Sequence, residues 1–381
     1  MTPQKVLIVG AGVAGPALAY WLTRHGFRTT VVERASDLRS SGNPIDVKGP
    51  AVPVAERMGL MPKLRGLATR ATAITLLHPD GRAFARTALP TGDAAGVELA
   101  RSDLSSALYE TARDDAEFVF GDSVTRMHQD PDGVEVTFGR SAPRRFDLVV
   151  GADGMHSTTR RLVFGPETEF ATDLGMYVAT VPLPPEAVDL PHDMVLHNTP
   201  GRLLAIHPGR DNPLALFVFR GPSADGYDRH DTDRQKRLLT EAYAGVGWRA
   251  PELVERFRTH PAPFFDALNR VRMASWSRGR VALLGDAASS VALFGDGSSL
   301  AVAGAYTLAQ ALAEHPGDHA RAFAAYETRH RRETDPRQRR IPPIIAALIP
   351  RTGRGVAARN CTAGAALRLS RRRLTPLAAV G

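Results

Sequence analysis

Three glycines near the start of the chain have the spacing that lets a backbone approach a phosphate group. They lie in Gly10-Ala11-Gly12-Val13-Ala14-Gly15, the pattern G-x-G-x-x-G. In such a turn the first glycine allows a tight bend, the second makes room for a pyrophosphate, and the third lets a helix pack on a strand. Glu33 follows about 20 residues later, where a carboxylate can accept hydrogen bonds from ribose hydroxyls. These residues indicate dinucleotide binding.

The segments around this motif predict the strand–helix–strand unit that must hold it. Lys5–Val9 is a short apolar run, typical of a buried parallel strand. The next helix is expected to run to about His25 and to end at Gly26, a residue type that commonly follows a helix. Arg28–Val32 predicts a second buried strand. The start of the chain therefore favours an α/β dinucleotide-binding fold.

Two later segments carry further turns with acidic residues. Asp147–Arg160 contains a predicted buried strand and then Asp153-Gly154, whereas Arg280–Ala288 contains a strand that ends at Gly285-Asp286. The Asp286 carboxylate can accept a hydrogen bond from a hydroxyl group, or it can cap the following helix. Gly295-Asp296-Gly297-Ser298-Ser299 opens the next predicted helix, so its backbone N–H groups can face an anionic partner.

In their order and separation, these three motifs resemble the fingerprints of the flavoprotein monooxygenases of the para-hydroxybenzoate hydroxylase class, the class A flavoproteins. The resemblance covers roughly residues 1–330 and is closer to the short members that act on polyketide- or tetracycline-like natural products. It implies an α/β fold: a Rossmann-like FAD-binding domain with an inserted antiparallel-sheet substrate domain and a C-terminal helical region. It also implies FAD as the cofactor, NADPH or NADH as the reductant, and O2 and a small molecule as substrates.

The resemblance assigns roles at the FAD site residue by residue. Arg101 matches an arginine that lies along the FAD phosphates, although an arginine at a helix start could equally be a surface charge. Asp153 resembles the residue linked to FAD and reduced nicotinamide, with a plain turn as the alternative. Val124 stands where a strand backbone usually meets adenine, and Arg34 also lies by the adenine in relatives. The FAD-binding set implied by the resemblance is Gly10, Gly12, Ala14, Gly15, Glu33, Arg34, Arg101, Val124, Asp153, Gly285, Asp286, Gly295, Gly297, Ser298 and Ser299.

Several residues are candidates for the substrate or nicotinamide side. Arg39 and the Gly42–Lys48 loop resemble the region beside the isoalloxazine, and Asp46 is its candidate polar residue unless it only forms a turn. His207, at the end of a predicted strand, is a candidate general base for a phenol, with an exposed strand-end histidine as the alternative. Phe217 is a further candidate, but the pattern does not decide on which face of the sheet its side chain lies. Packing in the core is the default interpretation. No catalytic residue is assigned.

The predicted rim of the flavin site departs from the family pattern. Ser289 stands where relatives commonly have histidine, and Leu293 where they have proline. Ser299 replaces a frequent asparagine, and Gly304 replaces an aspartate. Leu293 and Phe294 would line an apolar pocket at this rim. These departures concern side chains and leave the backbone N–H groups of the helix start in place.

We therefore predict an FAD- and NAD(P)H-dependent monooxygenase, an oxidoreductase that inserts one oxygen atom from O2 into an aromatic or polyketide-like small molecule through a flavin C4a-hydroperoxide. The departures at the rim keep a second function open, an FAD-dependent dehydrogenase or reductase without oxygen insertion. A flavin-dependent halogenase is disfavoured because the tryptophans, Trp21, Trp248 and Trp276, do not form the Trp-x-Trp-x-Ile signature. A flavin-free regulatory protein is disfavoured because the motifs keep their glycines and acids.

Composition excludes several other classes. The only cysteine, Cys361, rules out internal disulfides and cysteine-based metal sites, and no cluster has metal-ligand spacing, so no metal is expected. No apolar run is long enough to span a bilayer. The first strand starts within about five residues of the beginning, which leaves no room for a signal peptide. We expect a cytoplasmic protein, a monomer or homodimer, without a membrane span.

The positive charge is concentrated near the end of the chain. Arg321–Gly381 contains fourteen arginines, no lysine and three acids, whereas the whole chain has a formal net charge of +8. Such a segment could attract nucleic acid, but it has few aromatic residues for base stacking and no nucleic-acid motif. We expect a solvated helical face and a loose end, with no nucleic-acid partner.

The remaining pattern predicts a change of module along the chain. An antiparallel sheet is predicted from four short strand candidates, Met176–Leu183, Met194–Asn198, Leu203–His207 and Leu214–Phe219, and a hairpin from Ala73–Leu77 and Arg82–Thr87. Further expectations are one strand over Val119–His128, a helix over Arg101–Arg113 capped by Ser102, and a helix over Ala320–Arg332. The predicted domains are an FAD-binding domain (1–72, 96–172 and 275–330), a substrate-binding domain (73–95 and 173–274) and a C-terminal helical, Arg-rich segment (331–381).

Overall fold

The computed structural model describes residues 3–38, 42–90, 96–223, 228, 230–290 and 296–362. The strands are β1 (Lys5–Val9), β2 (Arg28–Glu33), β3 (Pro44–Val47), β4 (Ala73–Leu77), β5 (Ala83–Ala88), β6 (Val97–Ala100), β7 (Glu117–Phe120), β8 (Val124–Asp130), β9 (Gly133–Phe138), β10 (Arg144–Phe146), β11 (Leu148–Gly151), β12 (Ala171–Pro182), β13 (Asp193–Thr199), β14 (Arg202–His207), β15 (Leu214–Arg220), β16 (Phe264–Val271), β17 (Ser277–Arg278) and β18 (Val281–Leu283). The helices are α1 (Ala14–Arg24), α2 (Ala51–Arg57), α3 (Met61–Gly66), α4 (Arg101–Ala112), α5 (Thr158–Val163), α6 (Thr232–Tyr243), α7 (Ala250–Thr259), α8 (Asp296–Glu314), α9 (His319–Leu348) and α10 (353–362).

These elements form two compact units. The first is built from Met1–Ala68, Gly92–Leu174 and Asn269–Ile341. The second is built from Thr69–Thr91, Gly175–Leu268 and Pro342–Gly381. Each unit is therefore assembled from three separate stretches of the chain.

The first unit is organised around a six-stranded sheet in the order β17-β18-β11-β1-β2-β7. β17 pairs antiparallel with β18, and the other four pairs are parallel. Along β1, Val6 and Ile8 pack in the core formed with α1, α4 and α8, whereas Leu7 and Val9 pack with the three-stranded sheet β10-β9-β8. Because both faces are covered, the strand reads as an uninterrupted apolar run. This confirms the predicted α/β fold.

The second unit contains a seven-stranded sheet in the order β16-β12-β15-β14-β13-β4-β5. One face packs on α6 and α7 through a core that includes Leu204, Phe217 and Phe257. Side chains alternate between the faces of a strand. Leu203, Ala205 and His207 of β14 therefore point away from these two helices.

Two expectations about secondary structure are wrong, and the predicted antiparallel sheet is incomplete. The strand predicted over Val119–His128 is divided into β7 and β8, because Gly121 turns the chain with a φ of +74°. The antiparallel sheet predicted from four strands has seven, since β16 and the β4–β5 hairpin join it, and β4 pairs parallel with β13. The residue before α4 is Ala100, which has no side-chain acceptor, so Ser102 lies inside the helix and does not cap it.

Helix α9 is longer than predicted. It continues past Arg332 to Leu348, although proline removes a helical hydrogen bond and costs stability. Of the predicted C-terminal segment 331–381, the part up to Ile341 belongs to the first unit and the part from Pro342 belongs to the second. Buried isoleucines recur every four residues and supply a continuous apolar stripe that favours the extension: Ile341, Ile345 and Ile349.

A buried histidine on α9 explains one departure from the family pattern. The His330 ring stacks on Tyr326, with 5.9 Å between the ring centroids. A Cβ added to Gly304 would lie 2.7 Å from His330 Nε2, so the ring needs glycine at this position of α8. Burial lowers the pKa of His330 to about 4; Arg337 acts in the same direction, whereas Glu333 and a hydrogen bond with the backbone of Leu300 oppose the shift.

We expect the free energy of unfolding to fall as the pH drops from about 6.5 to about 4. In this window His330 binds a proton in the unfolded chain but stays neutral in the folded one, since its pKa falls from 6.5 to about 4 on folding. Full protonation favours the unfolded chain by about 3 kcal/mol. Urea unfolding over this pH range should therefore show a shallower loss of stability in His330→Gln than in the wild type.

The exposed His128 offers a matched control, because His128→Gln also removes one imidazole. We expect this variant to follow the wild-type pH dependence. Identical pH slopes for the two variants would contradict the role assigned to His330.

Candidate functional site

A cavity in the first unit collects most of the predicted cofactor residues. Its volume is about 420 Å³, within the range of roughly 300–1,000 Å³ common for small-molecule sites. It lies past the carboxyl ends of β1, β2, β11 and β18, where ligands bind in open parallel sheets. The predicted residues that line it are Gly10, Gly12, Ala14, Glu33, Arg34, Arg101, Val124, Asp153, Gly285, Asp286, Gly297 and Ser298.

The three glycines of the first turn have different environments. Gly10 has a φ of +107°, and a Cβ there would lie 2.6 Å from the carbonyl oxygen of Ala152. A Cβ at Gly15 would lie 1.9 Å from the carbonyl oxygen of Gly10, so α1 can start this close to the turn only with glycine. A Cβ at Gly12 would meet no atom within 4 Å. The open side of Gly12 is thus the place where a phosphate can approach the backbone.

Glu33 holds the turn after β1 beside the end of β2. Its Oε2 accepts the backbone N–H of Ala11 at 2.9 Å, and its Oε1 accepts that of Ala35, also at 2.9 Å. A carboxylate has about four acceptor positions, so both oxygens can still accept hydroxyl groups from a ligand. Glu33 therefore combines a structural role with the acceptor role expected at a ribose.

The carboxylate of Asp153 is engaged inside the protein. It accepts hydrogen bonds from the Ser157 hydroxyl at 2.5 Å and from the backbone N–H and hydroxyl of Thr159 at 2.9 and 3.0 Å. Burial raises the pKa of Asp153, and these hydrogen bonds oppose the shift. Asp153 thus helps to fix the start of α5, and it is also one of the residues that line the cavity.

Asp286 offers an acceptor to the cavity. It follows Gly285, which has a φ of +65°, and its Oδ1 would lie 3.6 Å from a Cβ added to Gly297 at the start of α8. Burial raises the pKa of Asp286, and the positive charge of Arg101 opposes the shift. Its carboxylate makes no hydrogen bond to the residues that the structure describes, so it does not cap a helix among them. This acceptor and the space at Gly12 fit the ribitol and phosphate groups of FAD.

The start of α8 is joined to β3 by a buried hydroxyl. Gly297 and Ser298 line the cavity, whereas the Ser299 Oγ donates to the Asp46 carbonyl at 2.8 Å and accepts the Lys48 N–H at 3.0 Å. Asp46 lies in β3, not in a turn, and its Oδ2 is 2.8 Å from Lys48 Nζ. Burial raises the pKa of Asp46, although Lys48 opposes this. Ser299 and Asp46 therefore position the helix start and do not line the cavity.

His207 and Phe217 lie in the second unit. His207 is 2% exposed, and its Nδ1 accepts the backbone N–H of Gly209 at 3.0 Å, so the expectation of an exposed strand-end histidine is wrong. Phe217 is fully buried against Tyr243 and Phe257 on the helix-covered face of the sheet. Phe217 therefore packs in the core, which was its default interpretation. Its assignment to the substrate side is corrected. The remaining predicted site residues lie outside the described residues: Arg39, Leu293, Phe294 and Gly295.

Sequence reasoning missed Asp122, which shapes the cavity beside Val124. Its carboxylate accepts the backbone N–H groups of Ser123, Arg140 and Ser141 at 2.8–2.9 Å. Although burial opposes them, these hydrogen bonds lower the pKa of Asp122 to about 2. The signal in the sequence that could have identified Asp122 is an acidic residue directly after Gly121, between two strands.

A buried arginine joins the two later motifs. Arg160 donates to the Met155 carbonyl at 2.6 Å and to the Ala287 carbonyl at 3.1 Å. Glu167 lies 3.2 Å from the same guanidinium and 2.9 Å from Nδ1 of His156, which lines the cavity. One guanidinium thus fixes the segments after Asp153 and after Asp286 relative to each other.

Helix α9 supports a further part of the cavity wall. Gln338 Nε2 donates to the carbonyl oxygens of Val271 and Ser290 at 2.7 and 2.9 Å. Ser290, which lines the cavity, accepts the Val271 N–H at 2.8 Å and donates to the Asn269 carbonyl at 3.1 Å. This buried network holds Ser290 in place.

We expect Gln338→Leu to raise the dissociation constant for FAD about tenfold. The leucine keeps most of the volume but leaves two buried carbonyl groups without their donor, at a cost of about 1–3 kcal/mol per group if unrelieved. Fluorescence titration of flavin-free protein with FAD measures the effect. Gln310→Leu, which alters an amide on the exposed surface, is the control, and equal FAD affinities in the two variants would show that Ser290 does not depend on Gln338.

The described ranges contain neither a candidate membrane span nor a candidate metal site. No helix there is long and apolar enough to cross a membrane. No group of three or more His, Cys, Asp and Glu side chains there is placed to hold a metal ion.

A glycine turn at β1, an acceptor at the end of β2 and a helix start at α8 around one cavity define a dinucleotide-binding fold. The family described as FAD binding domain matches residues 4–335, and the chain belongs to this family. An uncharacterised protein of Mycobacterium tuberculosis is 39% identical over 330 residues, covering 85% of this chain and 88% of that protein. A flavin-dependent monooxygenase of Legionella longbeachae is 32% identical over 344 residues, covering 88% and 87%.

Solved structures agree with these relatives. The crystal structure of the tetracycline destructase Tet(51) superposes with a TM-score of 0.82 at 29% identity, covering 99% of this chain and all of that chain. Together the comparisons identify an FAD-dependent monooxygenase with NAD(P)H as the reductant and O2 and a small molecule as substrates. The relatives thus favour oxygen insertion over the dehydrogenase or reductase alternative.

Proposed function

We propose that this enzyme oxygenates an aromatic or polyketide-like small molecule that binds on one face of the sheet of the second unit. The face points away from α6 and α7. A row of paired residues, Leu76, Leu196, Ala205 and Leu216, crosses four of its strands. Six apolar side chains on this face remain half-buried, and we call them the apolar sheet face: Ile74, Leu76, Val178, Met194, Leu196 and Leu216.

The apolar sheet face is the observation that carries the proposal. On the opposite face, core side chains such as Tyr177, Ala179 and Phe217 are fully buried against the helices. The six side chains of the apolar sheet face keep part of their surface exposed, although Ala205 and Val218 between them are buried. Ile344, near the end of α9 in the same unit, is an exposed large apolar residue, at 38%. Partly exposed apolar side chains gathered on one face of a sheet are suited to a ligand that covers them. The likeness to a tetracycline destructase supports a substrate with a fused-ring body.

In this proposal the cavity of the first unit holds FAD. The backbone at Gly12 and the side chain of Arg101 bind the phosphates, Glu33 accepts a ribose hydroxyl, and Asp286 accepts a ribitol hydroxyl. The N–H groups at the start of α8, near Gly297, would stabilise the negative charge that a bound flavin gains on reduction. When bound and reduced by NAD(P)H, FAD supplies the activation of O2 for oxygen transfer.

Further parts of the proposal concern the whole protein. Segments 73–95 and 173–274 form the substrate-binding part, NADPH or NADH serves as the reductant, and the enzyme works in the cytoplasm as a monomer or homodimer. Comparing kcat/KM for the two nucleotides tests the reductant. Size-exclusion chromatography with light scattering tests the oligomeric state.

A substrate screen tests the proposed function. Aromatic and polyketide compounds are incubated with FAD-loaded enzyme, NADPH and ¹⁸O₂, and NADPH oxidation and product mass are followed. We expect a product that is heavier by one ¹⁸O atom, in step with NADPH consumed. NADPH oxidation that yields only peroxide across the whole screen would count against a substrate of this class.

A further inference from the structure

The apolar sheet face ends in a group of positive charges. Asn198 and Arg220 follow Leu196 and Leu216 on the same face of β13 and β15, since residues two or four apart share a face. Arg220 is half-buried, and its Nε donates to the Ile349 carbonyl at 3.2 Å. The Asn198 amide donates to the Leu348 carbonyl at 2.9 Å. The end of α9 thus lies directly against this edge of the face.

Arg359 of α10 reaches the same place. Its Nη2 donates to the Asn198 Oδ1 at 2.9 Å, and its Nε is buried without a hydrogen-bond partner in the part of the chain that the structure describes. Arg359 is itself half-buried. Asn198 therefore connects Arg359 to Leu348, which directly precedes the residue that Arg220 binds.

These cations have no acidic partner among the described residues. Arg220 and Arg359 form no salt bridge, and their hydrogen bonds go to a backbone carbonyl and an amide oxygen. Burial lowers the pKa of Arg220, and the nearby positive charge of Arg351 lowers it further. Described residues 342–362 contain three arginines and no Asp or Glu. The edge therefore concentrates positive charge that no acidic side chain in the described part of the chain pairs with.

A partly desolvated guanidinium gains most from an oxyanion, which it can bind through two parallel N–H groups. Arg220 has Nη1 and Nη2 available for this geometry, since Nε makes its hydrogen bond within the described part of the chain. A strand rises about 3.3 Å per residue, so Leu216 and Arg220 are about 13 Å apart along β15. That span suits a ligand of three or four fused rings with an acidic group at one end.

We propose that Arg220 and Arg359 form an oxyanion-binding site that recognises a carboxylate or enolate on the ring-containing substrate. The inference rests on the proposed function, because it places the ring body on the apolar sheet face. It narrows the substrate class to acidic fused-ring compounds. A phosphate group of NAD(P)H presents related chemistry, and the experiment distinguishes the two sources.

Binding of a matched pair of ligands to the FAD-loaded enzyme tests the site. Anthraquinone-2-carboxylate and anthraquinone-2-carboxamide have nearly the same shape and differ in charge. By calorimetry without reductant, we expect the wild type to bind the carboxylate about tenfold more tightly than the amide. Arg220→Met and Arg359→Met should reduce this ratio to within about twofold while leaving the amide affinity unchanged.

Two further variants separate recognition from folding. Arg220→Lys keeps the charge and should retain part of the preference for the carboxylate. Arg354→Met removes an exposed arginine of the same segment and should leave the ratio at the wild-type value. Equal binding of acid and amide by the wild type would overturn the oxyanion site but not the proposed function, whereas binding of neither compound would count against the ring-binding face itself.

Titration with NADPH provides the second arm. We expect the dissociation constant for NADPH to be the same in Arg220→Met and in the wild type. A weaker affinity for NADPH with an unchanged ratio for the anthraquinone pair would assign the site to the reductant and overturn the assignment to the substrate.

Discussion

Gly12→Val is expected to raise the dissociation constant for FAD by at least about 100-fold while leaving the fold intact. A Cβ at this position meets no protein atom within 4 Å, so the substitution should change the free energy of unfolding by about 1 kcal/mol or less. The added isopropyl group instead fills the space through which a phosphate reaches the backbone of the turn. FAD titration followed by fluorescence, together with urea unfolding of the flavin-free protein, measures both quantities.

Gly66→Val provides the matched control for this substitution. Gly66 also has no atom within 4 Å of an added Cβ, but it lies in α3 and does not line the cavity. Its variant should bind FAD like the wild type. Comparable FAD affinities for the Gly12 and Gly66 variants would show that the phosphates do not lie at Gly12.

Gly15→Ala is expected to destabilise the protein itself, by roughly 3 kcal/mol or more. The added Cβ would lie 1.9 Å from the carbonyl oxygen of Gly10, so either α1 or the preceding turn must shift. Because α1 packs in the core of the first unit, such a shift is costly. Urea unfolding in the absence of FAD isolates the effect on the fold, whereas Gly12→Val changes chiefly the binding.

Gly42→Ala is the control for Gly15→Ala, since an added Cβ there meets no atom within 4 Å. Its free energy of unfolding should stay within about 1 kcal/mol of the wild-type value. A Gly15 variant as stable as the Gly42 variant would mean that α1 can move away from the turn at little cost.

The predictions that succeeded rest on local chemistry. A strand that ends at Gly10, a helix that follows and an acid at Glu33 specify one geometry with few alternatives, because the backbone conformation of the turn needs glycine. The same holds for the strand and sharp turn at Gly285. Short-range patterns thus indicated the parallel sheet and the glycine turns beside which the cavity lies.

The predictions that failed depend on contacts distant in sequence. The length of α9 follows from buried isoleucines, and Gln338 matters because its amide reaches Ser290, which is 48 residues away. The burial of His207 could not be predicted, because its sequence neighbours do not show how deeply the end of β14 is covered. The role of Ser299 likewise depends on β3, which is about 250 residues away.

The guanidinium of Arg160 has a consequence for engineering this enzyme. Since it bonds the carbonyl groups of Met155 and Ala287, two motifs that are distant in sequence behave as one exchangeable part. Grafting either motif from a relative should succeed only when the residue at position 160 and its acid at Glu167 are transferred with it. Chimaeras and directed-evolution libraries for a new flavin environment should therefore vary both motifs together.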